Sequence, residues 1–149
     1  MLKRISLCVT SSLVLACAPA AHAHIVDNVL EHSAPNAALQ LTPIGSHESG
    51  VLGKSAAEIV AYHAASQRIL TVNARSGEVD ILDASDPTKP RKIGALSAGG
   101  DKEINSVAVR PDGLAVAAVQ QADKTDNGEA LFFNAETGEE LGRVGVGAL

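Results

Sequence analysis

Gly77-Glu78-Val79-Asp80-Ile81-Leu82-Asp83 returns 51 residues later as Gly128-Glu129-Ala130-Leu131-Phe132-Phe133-Asn134. At the same offset Lys92-Ile93-Gly94 corresponds to Arg143-Val144-Gly145. Upstream, Val60-Ala61 corresponds to Val107-Ala108 at an offset of 47, and a four-residue difference in segment length accounts for 51 − 47 = 4. A partial third copy comes earlier, where Thr42-Pro43-Ile44-Gly45-Ser46 echoes Arg91-Lys92-Ile93-Gly94-Ala95. Self-similarity at a fixed period is the signature of a repeat architecture.

Each copy reads as short antiparallel strands. Ile59 to Tyr62, Ile69 to Val72 and Val79 to Leu82 are rich in Val, Ile and Leu, with Ala65-Ser66-Gln67, Ser76-Gly77 and Asp86 to Pro90 as turns. In the second copy the strands are Ser106 to Val109, Leu114 to Val119 and Ala130 to Phe133. Their turns are Arg110-Pro111-Asp112-Gly113, where Pro presets φ and Gly accepts φ > 0, and Asp126-Asn127-Gly128. Val107-Ala108-Val109 and Val116-Ala117-Ala118-Val119 are continuous in apolar residues, which predicts sheets covered on both faces. Three or four strands per unit at this spacing are the pattern of β-propeller blades, which repeat at roughly 40–50 residues. A generic β-sandwich is the alternative. Dense Gly and β-branched residues, with no 3.6-residue stripe, exclude helical repeats.

The amino terminus carries an address. Lys3 and Arg4 precede an uncharged run from Ile5 to Ala23 that ends in Ala21-His22-Ala23, the pattern of a secretory signal peptide cut after Ala23. The apolar part, broken by Ser6, Thr10, Ser11 and Ser12 and followed by Pro19, is too short for a spanning helix of about 20 residues. Val14-Leu15-Ala16-Cys17 offers an alternative as a lipobox, with Cys17 acylated. Either route exports the chain to the periplasm or the extracellular side. Cleavage after Ala23 leaves 149 − 23 = 126 residues and removes both cysteines, Cys8 and Cys17. It changes the net charge from −5 to 10 − 17 = −7, which argues against nucleic acid as a partner and excludes a disulfide scaffold.

Further motifs define a resemblance. Leu41 to Gly50, Ser55 to Tyr62, Val79 to Pro87, Ile104-Asn105-Ser106-Val107-Ala108-Val109 and Val146-Gly147-Ala148-Leu149 resemble, in order, the secreted choice-of-anchor I β-propeller family. That family is related to YVTN-type and mesenchyme-specific cell surface glycoprotein propellers. The resemblance implies an extracytoplasmic propeller several times longer than this chain. Some family members carry the name alkaline phosphatase, and no catalytic residue transfers to this segment.

The chemistry-bearing motifs are sparse. Gly50-Val51-Leu52-Gly53-Lys54-Ser55 has Glu48 where a phosphate-binding loop needs Gly, so it reads as an ordinary loop. Asp123-Lys124-Thr125-Asp126-Asn127-Gly128 begins like a calcium loop, but Asn134 stands where the bidentate Glu belongs. Asp123, Asp126 and Asn127 are therefore weak calcium candidates in what reads as a hairpin loop, and no other cofactor is expected. His24, as a new amino terminus, could chelate copper only with a second histidine such as His32 or His47. Ser55 has no partner pattern for nucleophilic chemistry, and no Gly-x-Ser-x-Gly elbow occurs. Asn73, Asp83 and Asn134 end strands and suit turns, and Gly142 to Gly147 is a glycine-rich strand end.

The expectation is an all-β chain forming a partial β-propeller, about two blades plus part of a third, after the signal peptide. Its parts are a signal at 1–23, an irregular segment at 24–38, and an incomplete propeller at 39–149 with repeat units of about 56–100 and 104–149. At about 50 residues per blade, 126 residues make roughly two and a half blades, short of the four or more in a ring. The expected function is a non-catalytic binding or scaffold protein of the cell envelope or surface, with an extracytoplasmic ligand or protein as partner. The alternative is the amino-terminal part of a secreted alkaline-phosphatase-like phosphohydrolase whose catalytic residues lie elsewhere. Ser46-His47-Glu48 and the 121–128 loop are candidate recognition surfaces, and exposed repeat faces predict self-association.

Overall fold

The computed structural model describes residues 36–39, 42–49 and 57–148. The signal and lipidation candidates, the amino-terminal histidines and the Gly50 to Ser55 loop lie outside the described residues. Eight strands follow in chain order: β1 (Ala57–His63), β2 (Arg68–Asn73), β3 (Glu78–Asp83), β4 (Arg91–Ser97), β5 (Glu103–Val109), β6 (Leu114–Gln120), β7 (Glu129–Asn134) and β8 (Glu140–Gly145). They form two four-stranded antiparallel meanders, β1-β2-β3-β4 and β5-β6-β7-β8, here called sheets 1 and 2. The described residues contain no helix long and apolar enough to cross a membrane. The all-β architecture is the one the repeat predicts, and each sheet has the build of a propeller blade.

The turns form where the sequence places turn residues. Gly113 N–H donates to the Arg110 carbonyl at 3.0 Å across Pro111-Asp112. Asn73, Asp83 and Asn134 serve turns as expected, their carboxamide or carboxylate oxygens accepting from the Ser76, Ser85 and Glu136 amides.

Strand register refines the repeat. Leu70 pairs with Ile81 and Val72 with Val79 in sheet 1, as Val116 pairs with Phe132 and Ala118 with Ala130 in sheet 2. The fourth strands correct the sequence match. Val79 faces Leu96 and Ile81 faces Gly94, whereas Ala130 faces Val144 and Phe132 faces Gly142. The equivalence of β4 and β8 is therefore 142 − 94 = 48, not 51, so Lys92-Ile93-Gly94 corresponds to Glu140-Leu141-Gly142. A β7–β8 connection shorter by 51 − 48 = 3 residues explains the slip. Both sheets carry a bulge at the same place, after Ile81 and after Phe132, which bends the outer strand and leaves Ile93 and Leu141 exposed.

The front of sheet 1 packs on the rear of sheet 2. Leu70, Val72, Val79, Ile81, Leu96 and Ala98 form one buried cluster with Ala115, Ala117, Val119, Leu131, Phe133 and Ala135. Alanines at 115 and 117 let the sheets approach, and Phe133 and Leu131 fill the space between them. Each large apolar side chain buried this way contributes about 1.5–3 kcal/mol.

Two glycines mark the closest approaches between the sheets. Gly138, at φ 75°, leaves no room for a Cβ beside the Ile81 Cδ1, and Gly77, at φ 64°, lies under the Lys102 carbonyl. The turn of sheet 2 is tied to sheet 1 by His63, which is buried. Its Nε2–H donates to the Pro111 carbonyl at 3.2 Å, so Nδ1 is the acceptor from Ser66 Oγ at 2.6 Å. At the opposite end Arg143 donates to the Ala98 carbonyl at 2.8 Å and to Glu129 at 3.1 Å.

Among the described residues one face of sheet 2 is covered, by sheet 1. In β6, Ala115, Ala117 and Val119 are buried while Val116 and Ala118 are half-buried. The apolar run reads as two-faced because both faces are apolar, yet sheet 1 covers only the rear. The third copy also differs from the sequence reading: residues 42–49 form no strand. Gly45 lies tightly against the Pro87 and Thr88 backbone.

Candidate functional site

The register that aligns the two sheets also shows where they differ. On the rear of sheet 2, Ala117, Val119 and Leu131 make core. Their equivalents on the rear of sheet 1 are Thr71, Asn73 and Asp80. Three positions that fold the second unit are polar in the first. Polar groups at core positions cost stability unless a partner satisfies them, so this face is where the sequence departs from what the fold alone requires.

The departure lines a cleft of about 440 Å³ walled by His47, Glu48 and Ser49 on one side and by Asn73, Arg75, Ser76, Glu78, Asp80 and Lys92 on the other. Asp80 is its buried centre, with a side chain 10% exposed. Asn73 Nδ2 donates to Asp80 Oδ2 at 3.1 Å. Lys92 Nζ stands 2.6 Å from Asp80 Oδ1 and 4.0 Å from Glu78 Oε2. The Lys92 contact with Oδ1 is ionic rather than a directed hydrogen bond, and that oxygen accepts no hydrogen bond within the described structure. Carboxylates, cations and an amide therefore alternate across the cleft, an arrangement that can donate to and accept from a polar ligand at once.

Local sequence explains the placement. Asn73 ends β2 and its side-chain oxygen organises the Ser76 turn, which leaves Nδ2 free to turn toward β3. Thr71 pairs with Asp80 and Asn73 with Glu78, so the polar residues of neighbouring strands lie side by side on one face. Of the candidate recognition residues, His47 and Glu48 border the cleft. Asp80 was hidden in the sequence because Gly77 to Asp83 reads as a strand motif. The signal that could have found it is the single apolar-to-acidic mismatch with Leu131 inside that motif.

The 121–128 loop stands apart. Asp123 Oδ1 accepts from the Thr125 amide at 2.9 Å and from Thr125 Oγ1 at 2.7 Å. These bonds hold the Asp123 carboxyl below its ordinary value. Asp126 donates its amide to the Asp123 carbonyl at 3.0 Å. Asp86 and Thr88 make the same turn in sheet 1. Asp123 thus carries a turn through its carboxylate. Among the described residues no three His, Cys, Asp or Glu side chains gather as a metal-ligating group.

A second polar cluster locks the seam between the sheets. Glu129 accepts from Lys102 at 2.7 Å, from Arg143 at 3.1 Å and from Gln121 at 3.3 Å. The Lys102 ammonium, and next the Arg143 guanidinium, hold its carboxyl below the ordinary value. Arg143 also grips Glu140 through two nitrogens at 2.9 Å. Its charge is held more firmly than that of an ordinary arginine, first by Glu140 and then by Glu129 against some burial. All its partners are within the chain, so this cluster is structural.

The choice-of-anchor I domain model matches residues 58–149, more than half of the chain. The chain belongs to the choice-of-anchor I family. Membership points to a surface-associated, non-catalytic β-type domain. No curated protein matches the chain at a significant level. Among solved structures it is similar to a protein of unknown function from Bacteroides caccae, 21% identical, with a TM-score of 0.44. That match covers 60% of this chain, which spans only 28% of the Bacteroides protein. Within this choice-of-anchor I chain, the rear cleft of sheet 1 is the place where side-chain chemistry exceeds the needs of folding.

Proposed function

We propose that the chain is an exported, non-catalytic binding or scaffold module, with the rear cleft of sheet 1 as its recognition surface. One observation supports this most: Asn73 and Asp80 occupy positions that are Val119 and Leu131 in the second sheet. Asp80 is nevertheless buried there, its carboxylate held by Asn73 and Lys92 at the floor of the cleft. The cleft mixes Asp80, Glu78 and Glu48 with Lys92 and Arg75. It therefore suits a neutral or dipolar polar group more than a simple ion of either sign. Export rests on the Lys3-Arg4 start, the apolar run and Ala21-His22-Ala23. Mass spectrometry of the mature amino terminus separates cleavage after Ala23 from acylation at Cys17.

Site-specific photocrosslinking on intact cells tests the recognition surface. A crosslinker at Ser76, on the cleft wall, captures envelope material, whereas one at Glu136, in an exposed turn of sheet 2, does not. Equal capture at both positions, or none at Ser76, removes the cleft from consideration.

A further inference from the structure

The turn between β1 and β2 pairs a hydroxyl with an imidazole. Ser66 Oγ donates to His63 Nδ1 at 2.6 Å, because the Nε2–H of His63 is committed to the Pro111 carbonyl at 3.2 Å. Turn hydroxyls elsewhere have different partners. Ser97 Oγ and Thr137 Oγ1 accept from backbone amides, and Thr88 and Thr125 donate to turn carboxylates, which are too weakly basic to take a hydroxyl proton. Imidazole is the side chain whose basicity suits proton transfer near neutral pH. A serine hydrogen-bonded to a base that a third group holds in orientation is the arrangement that activates a nucleophile.

The hairpin keeps the pair in place. Gln67 N–H donates to the Ala64 carbonyl at 3.3 Å, and the Gln67 carbonyl accepts from the Ala84 amide at 2.9 Å. Gln67 has φ 53°, in the left-handed region that disfavours a side chain, where the corresponding turn of sheet 2 has Gly113 at φ 87°. Sheet 1 therefore accepts strain in the turn that carries Ser66. Directly across the ladder from His63 stands Arg68, whose buried Nε–H has no hydrogen-bond partner within the described structure. A spare cationic donor one rung from the pair suits the negative charge of a tetrahedral adduct. Ser66 is half-buried, and its neighbours Ala64 and Ala65 are exposed and small. Every group here belongs to sheet 1 or to the turn of sheet 2 packed on it.

We propose that Ser66 is a site of covalent acylation, with His63 as its general base and small activated acyl esters as its reagents. Ser66 Oγ attacks the acyl carbon, and the new Oγ–C bond forms as the hydroxyl proton passes to His63 Nδ1. The imidazolium keeps its Nε2–H on the Pro111 carbonyl. The bond from the acyl carbon to the leaving oxygen then breaks, and His63 returns the proton to that oxygen. The products are O-acyl-Ser66 and the free alcohol. The step is one stoichiometric transfer, so it adds a modification site to a non-catalytic module. The turn lies at the opposite end of β2 from Asn73 and the rear cleft, so the site stands independently of the proposed recognition role.

Treatment of the full chain with p-nitrophenyl acetate, followed by peptide mass mapping, tests the proposal. Acetyl appears on Ser66 roughly 100-fold faster than on Ser97, an exposed serine whose hydroxyl accepts from a backbone amide. Nitrophenolate is released in a burst of about one equivalent per chain, and Ser66→Ala abolishes the burst. His63→Gln, which can still donate to the Pro111 carbonyl but cannot take the proton, brings Ser66 down to the Ser97 rate. Unfolding the unaltered chain in urea does the same and serves if His63→Gln folds poorly. Acetylation of Ser66 no faster than Ser97, or acetyl on lysines alone, overturns the proposal. So does a fast Ser66 reaction that survives His63→Gln or urea, because the hydroxyl would then react without its base.

Discussion

Exchanging the residues at one equivalent position separates the two rear faces. Asp80 and Leu131 occupy the same place in their sheets, so Leu131→Asp and Asp80→Leu are reciprocal. Leu131 is fully buried between the sheets. Replacing it removes a packed side chain, worth about 2–5 kcal/mol. It also puts a carboxylate into the packed seam beside Arg143, its cross-strand partner, whose guanidinium is already engaged by Glu129, Glu140 and the Ala98 carbonyl, at a further cost of several kcal/mol. The sum is comparable to the whole stability of a small domain, about 5–15 kcal/mol, so Leu131→Asp unfolds the chain or nearly does.

Asp80→Leu behaves differently. It loses the Lys92 ion pair, in which the lysine is 39% exposed and returns to water, a loss of up to about 1 kcal/mol. It also loses the Asn73 hydrogen bond, about 1 kcal/mol. The leucine recovers about 1–2 kcal/mol by covering apolar surface. The net change is within about 1.5 kcal/mol of zero. Urea unfolding followed by circular dichroism reads both variants, with an unchanged denaturant slope as the check that the same transition is observed. A tolerated Leu131→Asp would refute the packing of sheet 2 on sheet 1. A severe loss from Asp80→Leu would show that the contacts of Asp80 with Asn73 and Lys92 hold the fold together, not that the residue is kept polar for binding.

Other expectations follow from the seam. The Glu129 carboxyl is depressed in the folded state by Lys102 and Arg143. Its stabilisation is therefore present above its ordinary value of 4.5 and is lost as pH falls through the depressed one. Glu129→Gln should accordingly flatten the acid limb of a stability–pH curve, leaving the neutral-to-alkaline limb unchanged in shape. Gly77→Ala forces a left-handed alanine, about 1–2 kcal/mol, and presses its methyl group on the Lys102 carbonyl. Thermal unfolding should fall by several degrees, whereas Gly99→Ala, which meets nothing, costs only the backbone term. His63→Leu removes the bond to the Pro111 carbonyl, and faster amide exchange at Gly113 is the expected signature, with a loss of about 1–2 kcal/mol.

The sequence made most of this fold legible through local signals. Strand positions showed because Val, Ile and Leu runs are cut by turn residues with specific backbone demands, as at Arg110 to Gly113. The six strands expected from those runs are β1 to β3 and β5 to β7. The fourth strands were harder. Their residues are exposed and weakly apolar, and a three-residue change in loop length let Arg143-Val144-Gly145 imitate Lys92-Ile93-Gly94 at the wrong register. Of the cleft, His47 and Glu48 were singled out as loop chemistry. Asp80 was not, because its meaning lies in the contrast with Leu131, and that contrast becomes positional only once hydrogen-bond register equates the two.

Sheets 1 and 2 stack front to rear as successive units. Methyl-resolved nuclear Overhauser spectroscopy on the labelled chain tests it most directly. Cross-peaks between the Ile81 δ1 methyl and the Gly138 α protons, and between the His63 ring and Gly113, are predicted from the contacts at those points. Intact cross-strand peaks within each sheet, with both inter-sheet sets missing, would contradict the stacking.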